Sequence, residues 1–246
     1  MTQLPTVLAA LLLLAPPAKF DTDKLPYRTS WGKYTVVVEK TGKDEFAPQR
    51  LRVLDVLGAV VREIQDQRVL LVEFPELTAG GTPELQVTTH SGGAHCCGTD
   101  FFFTQEGGLR NLLTFDGRNY GVRGIKNLGG DARPEIIAES DVLAYAGDLP
   151  YAAAAPVALI IGWDGTRYVD QTRRYPQRSL ERAREFQQLF LKARNQRGEF
   201  AETERRTGAG GYWANLEAVG RGAEAQAWLQ SRLPASTRTW WQRYKA

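Results

Sequence analysis

All four soft-ligand side chains of this 246-residue chain fall within eight positions: His90, His95, Cys96 and Cys97. Imidazole and thiolate groups act as nucleophiles, redox groups and ligands for zinc or copper. Three chemistries are open here. The first joins Cys96 to Cys97, because an exported protein with two cysteines usually oxidises them. Adjacent Cα atoms lie about 3.8 Å apart across a trans peptide, short of the roughly 4.4–6.8 Å of ordinary bridges, so this bridge is easily reduced. The second holds copper or zinc on His90, His95, Cys96 and Cys97; against it, neighbours on a strand face opposite ways. The third buries both cysteines, reduced, as small hydrophobes. The disulfide is preferred, and Gly92-Gly93 supplies the backbone freedom that each reading needs.

Catalysis finds little support. Ser91, His95 and Asp100 supply a triad on paper, without a nucleophile elbow. A Cys97–His90 nucleophile pair conflicts with an oxidising compartment. No Gly-rich phosphate loop precedes a helix. The expected protein is not an enzyme. At the other end, Trp240-Trp241-Gln242-Arg243-Tyr244-Lys245 interleaves aromatics with cations. Such a tail stacks on bases, sits on an anionic or membrane surface, or packs a last helix onto the body. The tendency of Trp to be buried favours packing, and nucleic acid is disfavoured.

The elements that must position these residues are mostly strands. Runs at 33–40, 50–55, 59–65 and 68–74 are followed by others at 84–89, 100–104, 111–115, 134–139, 156–163 and 167–170. A hairpin is expected around Leu57-Gly58, with turn dipeptides at Asp116-Gly117 and Asp164-Gly165. From Ser179 the spacing of Leu180, Ala183, Phe186, Leu189, Phe190 and Ala193 predicts a helix. Gly208–Gly211 is expected to break the helical region, and a helical hairpin is expected around Gly220-Arg221-Gly222. One repeat is present: Glu76–Leu85 aligns without a gap on Asn127–Ile136, an offset of fifty-one residues. Each copy is a turn running into a Pro-Glu-aliphatic strand. A multi-strand unit near fifty residues is the period of propeller blades, but two copies cannot close a ring of four or more. The expected fold is therefore mainly β: antiparallel blade-like units, partial propeller or sandwich-like, followed by a small α-helical C-terminal subdomain.

The second copy resembles the calcium loop of FG-GAP or VCBS-type extracellular repeats. That resemblance implies ligands at Asn127, Asp131 and Glu135, with the backbone carbonyl of Arg133. Gly129 stands where the pattern places an oxygen ligand, and the first copy keeps only Glu76, Thr78 and Glu84. Calcium takes six to eight oxygens, so both loops are underbuilt. The string Ser91-Gly92-Gly93-Ala94-His95-Cys96-Cys97 is similar to one in bacterial secreted proteins of uncharacterised function. It implies a compartment and a β-rich fold, and no activity.

Export is expected from the N-terminus. Val7–Ala15 is unbroken apolar, too short to span a bilayer, and is followed by Pro16-Pro17-Ala18, as in a secretory signal cleaved near Lys19. The divisions are a signal peptide at 1–18, a linker at 19–25, a β-rich domain at 26–175 with repeat units at about 70–116 and 121–170, and a basic helical subdomain at 176–246. The net charge of +3 hides an asymmetry: from Arg173 onward fifteen Lys+Arg face seven Asp+Glu. These readings point to a non-enzymatic exported module, structural or binding, in the periplasm, in the cell envelope or outside. Its partners are expected among envelope proteins or polysaccharides. The alternatives are a metal- or thiol-based redox protein at 90–97, and polyanion or membrane-surface binding by the tail.

Overall fold

The computed structural model describes residues 19–78, 81–93 and 96–244, apart from the side chains of Cys96 and Glu199. The expected signal segment and His95 lie outside the described residues. Three four-stranded antiparallel sheets follow one another along the chain. Sheet 1 holds β1 (Tyr27–Trp31), β2 (Tyr34–Lys40), β3 (Gln49–Leu54) and β4 (Val60–Asp66). Sheet 2 holds β5 (Arg68–Glu73), β6 (Leu85–Gly93), β7 (Cys96–Thr104) and β8 (Arg110–Arg118). Sheet 3 holds β9 (Gly121–Lys126), β10 (Glu135–Ser140), β11 (Val157–Trp163) and β12 (Tyr168–Asp170). Four helices end the chain: α1 (Gln177–Ala193), α2 (Glu199–Ala218), α3 (Gly222–Gln230) and α4 (Ala235–Tyr244). None of the described helices is long and apolar enough to cross a membrane.

Side chains alternate between the faces of a strand, and in sheet 2 both faces are apolar. Leu85, Val87 and Phe103 pack with Trp31, Val36, Val38, Leu51 and Val53 of sheet 1. Phe102, one residue away, points to the opposite face and packs with Ile136, Ala138, Ile161 and Tyr168 of sheet 3. Sheet 2 is thus the filling between two sheets. A buried carboxylate bridges the second interface: Asp100 on β7 accepts from Thr88 Oγ1 at 2.6 Å and from the Val122 N–H of β9 at 2.9 Å.

The outer face of sheet 3 is covered by helices. Because β12 pairs with β11 only from Ile161 onward, the earlier N–H groups of β11 need other acceptors. Asn215 of α2 takes the Ala158 N–H at 3.0 Å and donates to the Pro156 carbonyl, while Thr172 Oγ1 takes the Ile160 N–H at 3.0 Å. Leaving such buried donors unpaired costs about 1–3 kcal/mol each, so the tail completes the sheet. Trp240 and Trp241 are each 1% exposed inside the helical core, and the Trp240 indole N–H donates to the Gly147 carbonyl.

Four expectations need correction. Residues 27–31, ahead of the first expected strand at 33–40, form β1, whose Tyr27, Thr29 and Trp31 alternate inward. β9 (GVRGIK) was not expected, since its two glycines and two cations hide any alternation. Asp116-Gly117 continues β8, and the chain turns after Arg118. Gly208–Gly211 does not break the helix: α2 runs straight through it. A Cβ on Gly208 would lie 2.6 Å from the Phe190 backbone nitrogen, and one on Gly211 would lie 2.5 Å from the Phe186 ring. These glycines let α1 and α2 approach closely, which outweighs the roughly 1 kcal/mol that each costs in helix propensity. Sheet 1 is a further four-stranded unit, one that lacks the repeated sequence.

Burial pushes the Asp100 carboxyl above the ordinary aspartate value, against the pull of its hydrogen bonds. A raised folded-state value means that folding favours the protonated form. Asp100 therefore stabilises the fold below about pH 4 and loses that contribution as pH rises through its folded-state value. Denaturant unfolding of wild type and Asp100→Asn should show the wild-type advantage shrinking from acid to neutral pH. An advantage that grows with pH would contradict this.

Candidate functional site

The two repeated loops are built alike from their acidic residue. Glu84 immediately precedes β6 and folds back on the turn before it, accepting from Leu77 N–H (2.7 Å), Thr78 N–H (3.2 Å) and Thr78 Oγ1 (2.6 Å). Glu135 opens β10 and does the same, accepting from Leu128 N–H (2.7 Å) and Gly129 N–H (3.3 Å). The Pro-Glu-aliphatic repeat is thus a carboxylate cap for a turn. The loops differ in what covers them. Sheet 3 seals the first, with the Tyr168 hydroxyl donating to the Leu77 carbonyl at 3.0 Å. The second lies on the helical side, against Tyr175, whose phenol is pushed up by burial and by the Glu135 carboxylate.

This geometry does not suit calcium. Asn127 Oδ1 already accepts from Gly130 N–H at 2.6 Å, Asp131 Oδ1 from Arg133 N–H at 2.9 Å, and Glu135 Oε2 from two amides. The Asn127 amide donates to the Asp131 carbonyl, and the Arg133 guanidinium lies 4.5 Å from the centre of the Trp163 ring. Three side chains and one backbone carbonyl also fall short of the six to eight oxygens that calcium takes. Among the described residues no three of His, Cys, Asp and Glu gather as a metal site.

The histidine–cysteine string forms the β6–β7 hairpin, with Gly93 opposite Cys96. His90 stands between Arg68 and Gly98 on the flanking strands, and its Nδ1 accepts from Gly92 N–H at 3.0 Å. Ser91 Oγ accepts from Cys97 N–H at 2.9 Å. Asp100 is engaged between sheets 2 and 3, and His95 of the paper triad lies outside the described residues. Pairing of Cys96 with Cys97 involves a side chain outside the described residues and stays a proposal.

A different set of residues forms a cavity of about 660 Å³ between sheet 3 and the start of α1. Arg123 and Lys126 of β9, Arg174 of the connection to α1 and Arg178 of α1 line it, with Glu181 the one acidic group. Leu128, Ile137, Ile160 and Pro176 give it apolar walls. Arg123 reaches the cavity through a bulge: the β9–β10 register passes from Gly124↔Ile137 to Val122↔Ala138 and leaves Arg123 as the extra residue. Bulges re-aim side chains in this way, and here the result is that positions 123 and 126 serve one face. Beneath, the buried Glu139 carboxylate binds Arg123 at 2.9 Å and Arg178 at 3.6 Å, and also holds Arg182. Lys126 and Arg174 have no ion-pair partner among the described residues; Arg174 stacks 5.2 Å from the centre of the Tyr175 ring. Four cations thus line the cavity against one lining acid, Glu181, while Glu139 beneath is shared among Arg123, Arg178 and Arg182. The helix start at Gln177, which has no side-chain cap, adds to the positive potential.

Of the residues singled out in the sequence, only the 127–135 loop adjoins this cavity. The cationic set escaped notice because its members come from three segments, and the bulge that aligns two of them leaves no trace in composition. No protein-family model, curated protein or solved structure matches the chain.

Two stability experiments follow from this geometry. Glu84→Ala strands two amides under sheet 3 and should cost about 3 kcal/mol or more, whereas Glu135→Ala strands amides that water can reach and should cost about 1–2 kcal/mol. Equal losses in denaturant unfolding would refute the shared-cap, different-cover account. Replacing Cys96 and Cys97 together with Ser should cost no more than about 1–2 kcal/mol, since a vicinal bridge closes almost no loop. A strong chelator should leave the melting midpoint in place; a large drop would assign the cluster to a metal instead.

Proposed function

We propose that the protein is a non-enzymatic exported module of the cell envelope or exterior, of FG-GAP-like partial-propeller build, and that it binds an anionic ligand in the cleft between sheet 3 and α1. The observation that carries this is the set of four cations that line one cavity against a single lining acid, Glu181, with Lys126 and Arg174 in no ion pair among the described residues. Cations that converge on a cleft attract anions more strongly than scattered surface charges do. The buried carboxylates support a non-catalytic reading: Glu84 and Glu135 cap their own turns, and Glu139 and Asp100 tie one element to another. The tail is a weaker candidate for polyanion binding. Its aromatics are in the core, and Arg205, Arg206 and Arg221 are paired locally with Glu202 and Glu224.

Calorimetric titration of the purified protein with sulfate and with dextran sulfate tests the proposal. Sulfate binding should weaken as sodium chloride is raised and fall at least tenfold in Lys126→Glu/Arg174→Glu, while Arg197→Glu, an exposed charge outside the cleft, leaves it unchanged. Dextran sulfate binding that survives the double reversal would move the interaction to the tail and overturn the cleft as the site.

A further inference from the structure

Resting on the anion-binding reading, we infer that the cleft takes an amphipathic anion, with one charged head group on an apolar body, in preference to a bare oxyanion or a polyanion. The cavity volume of about 660 Å³ falls within the roughly 300–1,000 Å³ of small-molecule pockets. Sulfate or acetate alone would leave most of it to water. The apolar wall is built from four segments: Leu128 from the capped loop, Ile137 and Ile160 from adjacent strands, and Pro176 at the start of α1. Ile137 and Ile160 are register partners on the helix-facing side of sheet 3 and form a continuous floor. Leu128 is 37% exposed, an apolar side chain at the rim with no cover in the fold itself. The cations converge on the same cavity from β9, the connection and α1. A bound polyanion is tracked instead by cations spaced along a groove.

The ligand class follows from how the two kinds of wall are placed. A head group bearing one or two negative charges suits this cationic lining, held by Lys126 and Arg174, which make no ion pair among the described residues. Arg123 and Arg178 are tied to Glu139 and set the potential without being free to move. The body of the ligand then covers Leu128, Ile137 and Ile160. A carboxylate, sulfonate or phosphate head would be read alike, so the identity of the head is left to the probes.

The test uses octanoate, acetate, sulfate and 1-octanol as separate calorimetric titrants of the full-length mature protein. Octanoate should bind at least tenfold more tightly than acetate, sulfate or octanol. Its binding should fall at least tenfold in Lys126→Ala/Arg174→Ala and severalfold in Leu128→Ser, with unchanged melting midpoints showing that the variants are folded. If sulfate and acetate bind as tightly as octanoate and Leu128→Ser has no effect, the amphipathic inference is overturned while the anion-binding cleft stands. If octanol matches octanoate and the cationic pair is irrelevant, or if no titrant binds, both readings fail.

Discussion

Phe102 and Phe103 are neighbours on β7 that point into different cores, and this commits sheet 2 to cover on both sides. A large aromatic buries about 150–250 Å² of surface, so neither face of β7 tolerates exposure to water. Sheet 1 supplies one cover and sheet 3 the other. Sheet 3 inherits the same demand, since Ile136, Ala138 and Ile161 are spent on sheet 2 while Ile137 and Ile160 face the other way. No further sheet follows in the chain as described. Helices α1 and α2 take that place, and the cleft arises at the substitution. A sheet laid on a sheet matches its neighbour over the whole face. A helix meets a twisted sheet along a narrower stripe, and at the start of α1 the gap is walled with cations instead of being filled.

Buried carboxylates are the joints of this arrangement. Glu84 closes a loop under sheet 3, Asp100 ties sheet 2 to sheet 3, and Glu139 ties β9 and β10 to α1. Moving a carboxylate out of water is costly, and a buried ionic pair is weak evidence of stability by itself. Each of these groups, however, meets N–H, O–H or guanidinium donors from a different element, so its value lies in fixing geometry. Glu139 shows the consequence most directly. By holding Arg123, Arg178 and Arg182 it sets where α1 starts, and so where the mouth of the cleft lies.

The parts of this structure legible in the sequence are those with a local period. Alternating β-branched and aromatic residues mark most of the strands, and apolar residues every three or four positions mark α1. The Pro-Glu-aliphatic repeat was visible, but its role was not. A resemblance to calcium loops casts Glu135 as a ligand, whereas the carboxylate is turned back onto Leu128 and Gly129 amides. Nothing in a linear pattern separates an acid that waits for an ion from one that caps its own turn. Gly208–Gly211 misleads for the opposite reason. Glycine signals a break by local propensity, but its missing Cβ is what the crossing of α1 and α2 requires.

The basic bias of the C-terminal third illustrates why charge totals locate function poorly. Fifteen cations against seven acids suggest a polyanion-binding surface. Yet Arg182 is directed inward to Glu139, Arg205 is buried against Glu202 and the Ala193 carbonyl, and Arg221 closes on Glu224. The cations at a concave surface that make no ion pair among the described residues include Arg174, at the edge of the tail, and Lys126, which belongs to the mildly acidic body. They share a cavity because the bulge at Arg123 turns β9 outward and because α1 begins against β10. The cationic cleft is therefore a product of the junction between the two parts of the chain, and neither part carries it alone.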